Sequence, residues 1–203
     1  MDVIKRASPL VGAFACIFLF VGYAGSTRSN EKLIQSTAWG TGAVPNGQAY
    51  VGINAVYVPS SGPDAVLFAD CSDTVTMCNR CEDNRSAVTG TYGTAVFCIV
   101  VAMFANSLRV FGNITGSIVD CCSILMFACS FMFAADALVL YTSCADASED
   151  LLEDYEHGPG WSCAVAGCIW VGVATIMVTY DVLFTVAPEK EAVDADLNAD
   201  NQL

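Results

Sequence analysis

Three groups of residues in this chain carry types and spacings that could do chemistry. The first is the cysteine set. Cys78 and Cys81 form a C-x-x-C pair, with Cys71 shortly before it, Cys144 far downstream and Cys163 beyond that. A C-x-x-C pair can exchange disulfides or supply half of a zinc site. Neither a βαβ context nor a second ligand pair accompanies this one, so structural disulfides are the favoured reading. Three clustered cysteines cannot all pair with one another. Either one local bridge forms and the third cysteine ties to Cys144 or Cys163, or Cys144 and Cys163 bond each other. The second group is acidic. Asp120, Asp136 and Asp181 interrupt long apolar stretches, and Arg109 ends another. Carboxylates in such places pair, face a bundle interior or line an ion path. Arg109 could balance Asp120, Asp181 or both, and a pairing that locks helices is favoured over a proton relay. Asp136 has no basic residue near its depth in the sequence pattern. The third group is the run Asp146, Glu149, Asp150, Glu153, Asp154 and Glu156. It could draw cations or a basic partner surface, although a solvated face is the favoured reading. It lacks the alternating ligands and central glycine of a calcium loop.

The elements that must position these residues are dominated by four apolar stretches, at about 9–25, 89–108, 117–141 and 162–186. Each comes near the roughly 20 helical residues needed to cross a hydrocarbon core. Unbroken runs of this kind satisfy their backbone in lipid as helices. Composition agrees: of 203 residues 55% are hydrophobic and only 14% charged. The expected fold is an all-α membrane bundle of four helices carrying a small extracellular or lumenal β-sheet lobe, with residues 1–203 forming one membrane domain. The net charge of −13 speaks against nucleic acid as a partner. No cofactor is expected, since the single histidine, His157, leaves no pair for haem, and neither a nucleotide loop nor a zinc spacing is present.

Lys5, Arg6, Arg109 and Lys190 flank the stretches on one side, while 142–161 holds no lysine or arginine. The positive-inside rule puts both termini in the cytoplasm and leaves 26–88 and 142–161 outside, with the plasma membrane as the expected location. The first stretch also has the look of a cleavable signal peptide, with a basic start and Gly22-Tyr23-Ala24 at its end; cleavage would leave three spans.

The long loop reads as structured. Residues 48–58 and 65–69 are rich in β-branched and aromatic types, and 59–64 between them is turn chemistry, which predicts a small antiparallel sheet. In the second loop Ser148 would cap a short helix running to Tyr155, stopped by Gly158-Pro159-Gly160. The acidic tail 187–203 reads as disordered. Asn84-Arg85-Ser86 and Asn113-Ile114-Thr115 match the glycosylation sequon, the former on the outer side. Small residues at Gly12, Cys16, Ala164, Cys168 and Gly172 suit close helix packing. Cys98 and Cys129 read as packing residues too, and Cys121-Cys122 as packing residues or acylation sites.

Four spans, both ends inside, a long first outer loop with strands and cysteines, and a short second loop resemble the claudin and peripheral-myelin-protein superfamily of four-span (tetraspan) proteins. That family carries a Trp, a Gly-Leu-Trp segment and two cysteines in the first loop. Trp39, Gly52-Ile53-Asn54 and Cys71 with Cys78 stand as the counterparts here. The second Trp is absent, the gap from Gly52 to Cys71 is longer and Cys81 is extra. The resemblance implies a left-handed four-helix bundle under an outer sheet, acting in cell contacts, barriers or as an auxiliary subunit of a membrane complex.

The expected function is therefore non-enzymatic. It works through protein–protein contacts of the outer lobe, with the lipid bilayer and other membrane proteins or a second copy as partners. Trp39, Tyr50, Gly52, Tyr57, Tyr155 and Trp161 are the contact candidates. The alternatives are a small transporter or channel using Asp120, Asp136 and Asp181, and a thiol oxidoreductase using Cys78 and Cys81.

Overall fold

The structure, a computed structural model, describes residues 2–24, 31–45, 47–61, 65–70, 76–112, 114 and 116–186. Four helices within it are long and apolar enough to cross a membrane, which supports a multi-pass membrane protein. They are α1 (Asp2–Ala24), α3 (Thr76–Phe111), α4 (Ser117–Glu149) and α5 (Pro159–Asp181); a short α2 (Glu31–Thr37) lies between the first two. Their exposed flanks carry large apolar side chains such as Phe14, Phe97, Leu125 and Ile176. A water-facing helix would put charge there.

Three helices run past the stretches that hydropathy marks out: α1 begins at Asp2, and α3 and α4 are longer still. α3 has 36 residues and α4 has 33, so each is about 50 Å long at 1.5 Å per residue. The added length of α3, residues 76–88, is polar in composition but buries Met77, Cys78, Cys81 and Val88. α4 continues through Ser148, whose hydroxyl donates to Cys144 O one turn back. Ser148 is therefore inside α4 and does not cap a new helix.

The polar lobe is a five-stranded antiparallel sheet in the order β4-β3-β2-β1-β5. β1 (Gly40–Val44), β2 (Gly47–Val51), β3 (Ala55–Tyr57) and β4 (Val66–Leu67) come from the first loop. β5 (Glu153–His157) comes from the second and pairs with β1, across an irregularity between Thr41 and Ala43. The acidic run thus ends in a strand rather than the helix its composition suggests. An edge strand pairs on one side only, and charge along it blocks further pairing. Gly158-Pro159-Gly160 starts a helix instead of stopping one: Pro159 sits in the first turn of α5, where its missing N–H costs nothing.

The bundle therefore has a sheet end, where α1 finishes and α5 begins, and an opposite end, called the turn end below, where α3 finishes and α4 begins. The tail 187–203, Cys71 and Asn113 lie outside the described residues.

Candidate functional site

At the turn end one polar network joins all four long helices. It starts from Pro9 in α1, which has no N–H to give the carbonyl four residues back. The Ser8 hydroxyl supplies the missing bond, donating to Lys5 O at 3.1 Å. Ser8 Oγ in turn accepts from Asn106 Nδ2 of α3 at 3.0 Å, and Asn106 Oδ1 accepts from Arg109 at 3.4 Å. Arg109 Nη2 makes an ion pair with Asp181 at the end of α5. Its Nε lies 3.3 Å from Asp120 Oδ1 of α4, outside hydrogen-bonding geometry. Arg109 is 1% exposed, Asp181 3% and Asp120 5%. Two carboxylates thus share one guanidinium. Ser123, one turn further along α4, is fully buried and its hydroxyl has no hydrogen-bond partner among the described residues.

At the sheet end a single aromatic side chain performs the same joining. Trp39, fully buried, donates from Nε1 to Gly22 O of α1 at 2.8 Å. Its ring meets Tyr92 of α3, Tyr141 of α4 and Trp161 of α5 edge-on, with centroids 5.4, 4.9 and 5.6 Å away. The backbone is stitched here as well: Gly158 N–H donates to Trp39 O and Gly160 N–H to Ala38 O. A Cβ on Gly160 would come within 2.2 Å of Thr37 O, so this approach requires glycine.

The disulfide Cys81–Cys144 ties the upper parts of α3 and α4 together. Cys78 is also disulfide-bonded, so the C-x-x-C pair does not close on itself and offers no dithiol in this state. Cys163 is a free, half-buried cysteine; of the alternatives open in the sequence, the tie from the loop cluster to Cys144 is the one formed. Cys16, Cys98, Cys121, Cys122, Cys129 and Cys168 are free.

The contact candidates divide. Trp39, Gly52 and Tyr57 are buried and hold the lobe together from inside, so they are removed from the contact surface; Tyr50, Tyr155 and Trp161 are half-buried. The first-loop region exposes Lys32 and Arg80, whereas the second loop exposes acid. Asp146 and Glu149 of α4 border a shallow cleft with Thr142, Tyr155 and His157, and Glu153, Asp154 and Glu156 of β5 are exposed beside it. Tyr155 packs so closely across β1 that a Cβ on Gly40 would meet its hydroxyl at 2.5 Å. Burial, reinforced by Glu149 and Asp146, pushes the Tyr155 hydroxyl up to about 12, against a smaller opposite pull from Tyr141. Asn84, the sequon asparagine, lies within α3 and donates to Arg80 O.

Asp136 stands apart from both ends. It is exposed on the outer face of α4 and joins neither Asp120 nor Asp181. No set of three or more metal-binding side chains occurs among the described residues. No protein-family model matches the sequence, and no curated protein matches it.

Proposed function

We propose that this protein is a non-enzymatic membrane protein that acts through protein–protein contacts of its sheet lobe, as a claudin-like adhesion or barrier protein or as an auxiliary subunit of a larger membrane complex. One observation carries the reading. Two loops separated by two full helices build a single sheet, fixed to the bundle by Trp39 where a disulfide ties α3 to α4. Loops that only connect helices have no need of such bracing. A stiff lobe lowers the entropy lost on association. Its outermost strand and the adjoining end of α4 present carboxylates, which suits a partner with a basic surface. The basic residues flanking the helices favour the lobe on the outer or lumenal side, with both termini in the cytoplasm; the location proposed is the plasma membrane.

The transporter reading draws on Asp120, Asp136 and Asp181. It is the weaker of the two, because Asp136 is on the outside of the bundle while Asp120 and Asp181 are engaged by Arg109.

Extraction from the native membrane in mild detergent, followed by sizing and mass spectrometry of co-purifying chains, tests the proposal. A stoichiometric larger partner is the result expected of an auxiliary subunit, and a homogeneous self-assembly that of an adhesion protein. A lone monomer overturns both.

A further inference from the structure

We infer that the outer face of α4 centred on Asp136 docks a transmembrane helix of another protein, one carrying a lysine or arginine at the depth of Asp136. Asp136 projects from an otherwise apolar flank. Its neighbours one turn away on the same face, Met132 and Val139, are each 66% exposed. With Ile118 and Leu125 they form a column repeating every seven residues, all of it exposed. Beside the column lie small side chains, Ala128, Cys129 and Ala135, which are half-buried. Large residues in one row and small ones in the next let a second helix come close.

The carboxylate decides what kind of helix. An acid within an apolar stretch is costly in lipid, and a cation at the same depth offsets that cost. The chain supplies none among its described residues. The register of α3 against α4 is fixed by the Cys81–Cys144 disulfide and by the bond from Ser130 Oγ to Ala95 O. That register sets Asp136 opposite Thr89. Lys5, Arg6 and Arg109 lie at the turn end, about 24 Å away along the helices if measured from Asp120. Arg85, about one turn beyond Thr89, is paired with Glu82 at 3.2 Å; Arg80 lies more than a turn further along α3, and Lys32 is in α2, which packs on α1, α5 and the sheet. A second copy meeting this face symmetrically would set Asp136 against Asp136, so charge favours a different protein.

The inference rests on the helices spanning a bilayer and not on the lobe reading; a lone monomer on extraction would sink that reading and leave this one open to its own test. The full chain, reconstituted in phosphatidylcholine vesicles with a donor dye, is titrated with acceptor-labelled polyleucine transmembrane peptides. One peptide has a single lysine at the depth of Asp136 and the control has none. The lysine peptide is expected to associate about 3- to 15-fold more tightly, with the preference lost in Asp136→Asn and kept in Asp136→Glu. Equal association of the two peptides, or a lysine preference that survives Asp136→Asn, overturns the inference. So does oxidative cross-linking between copies through Cys129 that Cys129→Ser abolishes, because the face then belongs to a second copy.

Discussion

The two ends of this bundle solve one problem in opposite ways. At the turn end, Arg109 gathers α1, α3, α4 and α5 through charge and hydrogen bonds. At the sheet end, Trp39 gathers the same four helices through ring contacts and one indole hydrogen bond. A buried charge network is stable only as a complete set, since each member's desolvation is offset by the others. An aromatic contact is closer to additive, because area can be removed piece by piece. The turn end should therefore fail as a unit and the sheet end by degrees.

Removing Arg109 tests this most severely. Arg109→Leu leaves Asp120 and Asp181 buried without a cation, and about 3–5 kcal/mol of stability should go, read as a lower unfolding midpoint in detergent. The triple variant Arg109→Leu, Asp120→Asn, Asp181→Asn should recover most of that loss. If the triple variant is worse than the single one, the network is not a closed set. At the other end, Trp39→Ala should cost a comparable 3–5 kcal/mol, about what truncating a buried Trp takes. Here Trp39→Phe should retain more than half of the stability, losing chiefly the bond to Gly22 O. An all-or-none response at Trp39 would erase the contrast between the ends.

The covalent tie comes next in size. Cys81→Ser or Cys144→Ser should lower stability by about 2–4 kcal/mol, while leaving the helical circular dichroism intact. A variant whose midpoint does not move would mean that packing alone positions the sheet end.

Much of this was legible in the sequence, unevenly. The four helices announce themselves because an uncharged run of that length admits little else. Arg109, Asp120 and Asp181 could be grouped because each lies near one end of its stretch. The partner in α1 could not: Ser8 and Asn106 are ordinary residues, and only the gap left by Pro9 gives them a task. β2, β3 and β4 fall within the apolar runs expected of a sheet. β1 escaped notice because Gly-Thr-Gly-Ala-Val has little bulk, and its glycines are there for closeness, as Tyr155 over Gly40 illustrates. β5 escaped because an edge strand needs no apolar alternation, so Glu153–His157 looked like solvated helix. The upper part of α3 was hidden by its polar composition and is held by cysteines at 78 and 81.

Tyr155 offers the mildest way to act on the sheet end alone. Its hydroxyl ionises near 10 in an unfolded chain and is pushed up to about 12 in the fold, chiefly by burial, which outweighs the opposite pull of Tyr141, with Glu149 and Asp146 adding to the rise. The folded state therefore holds this proton more tightly than the unfolded state does. Stability from this group is fully present below about pH 10 and is lost as pH rises through about 12. Because the Tyr155 ring lies across Gly40 of β1, an alkaline titration should loosen β5 from β1. The protection of the Tyr155 and Glu156 amides, taken against the intrinsic base-catalysed exchange rate at each pH, should fall between about pH 10 and 12, and Tyr155→Phe should remove that fall. A β5 whose protection is unchanged across the window would mean that the strand is held by its ladder to β1 and not by the ring that lies across Gly40.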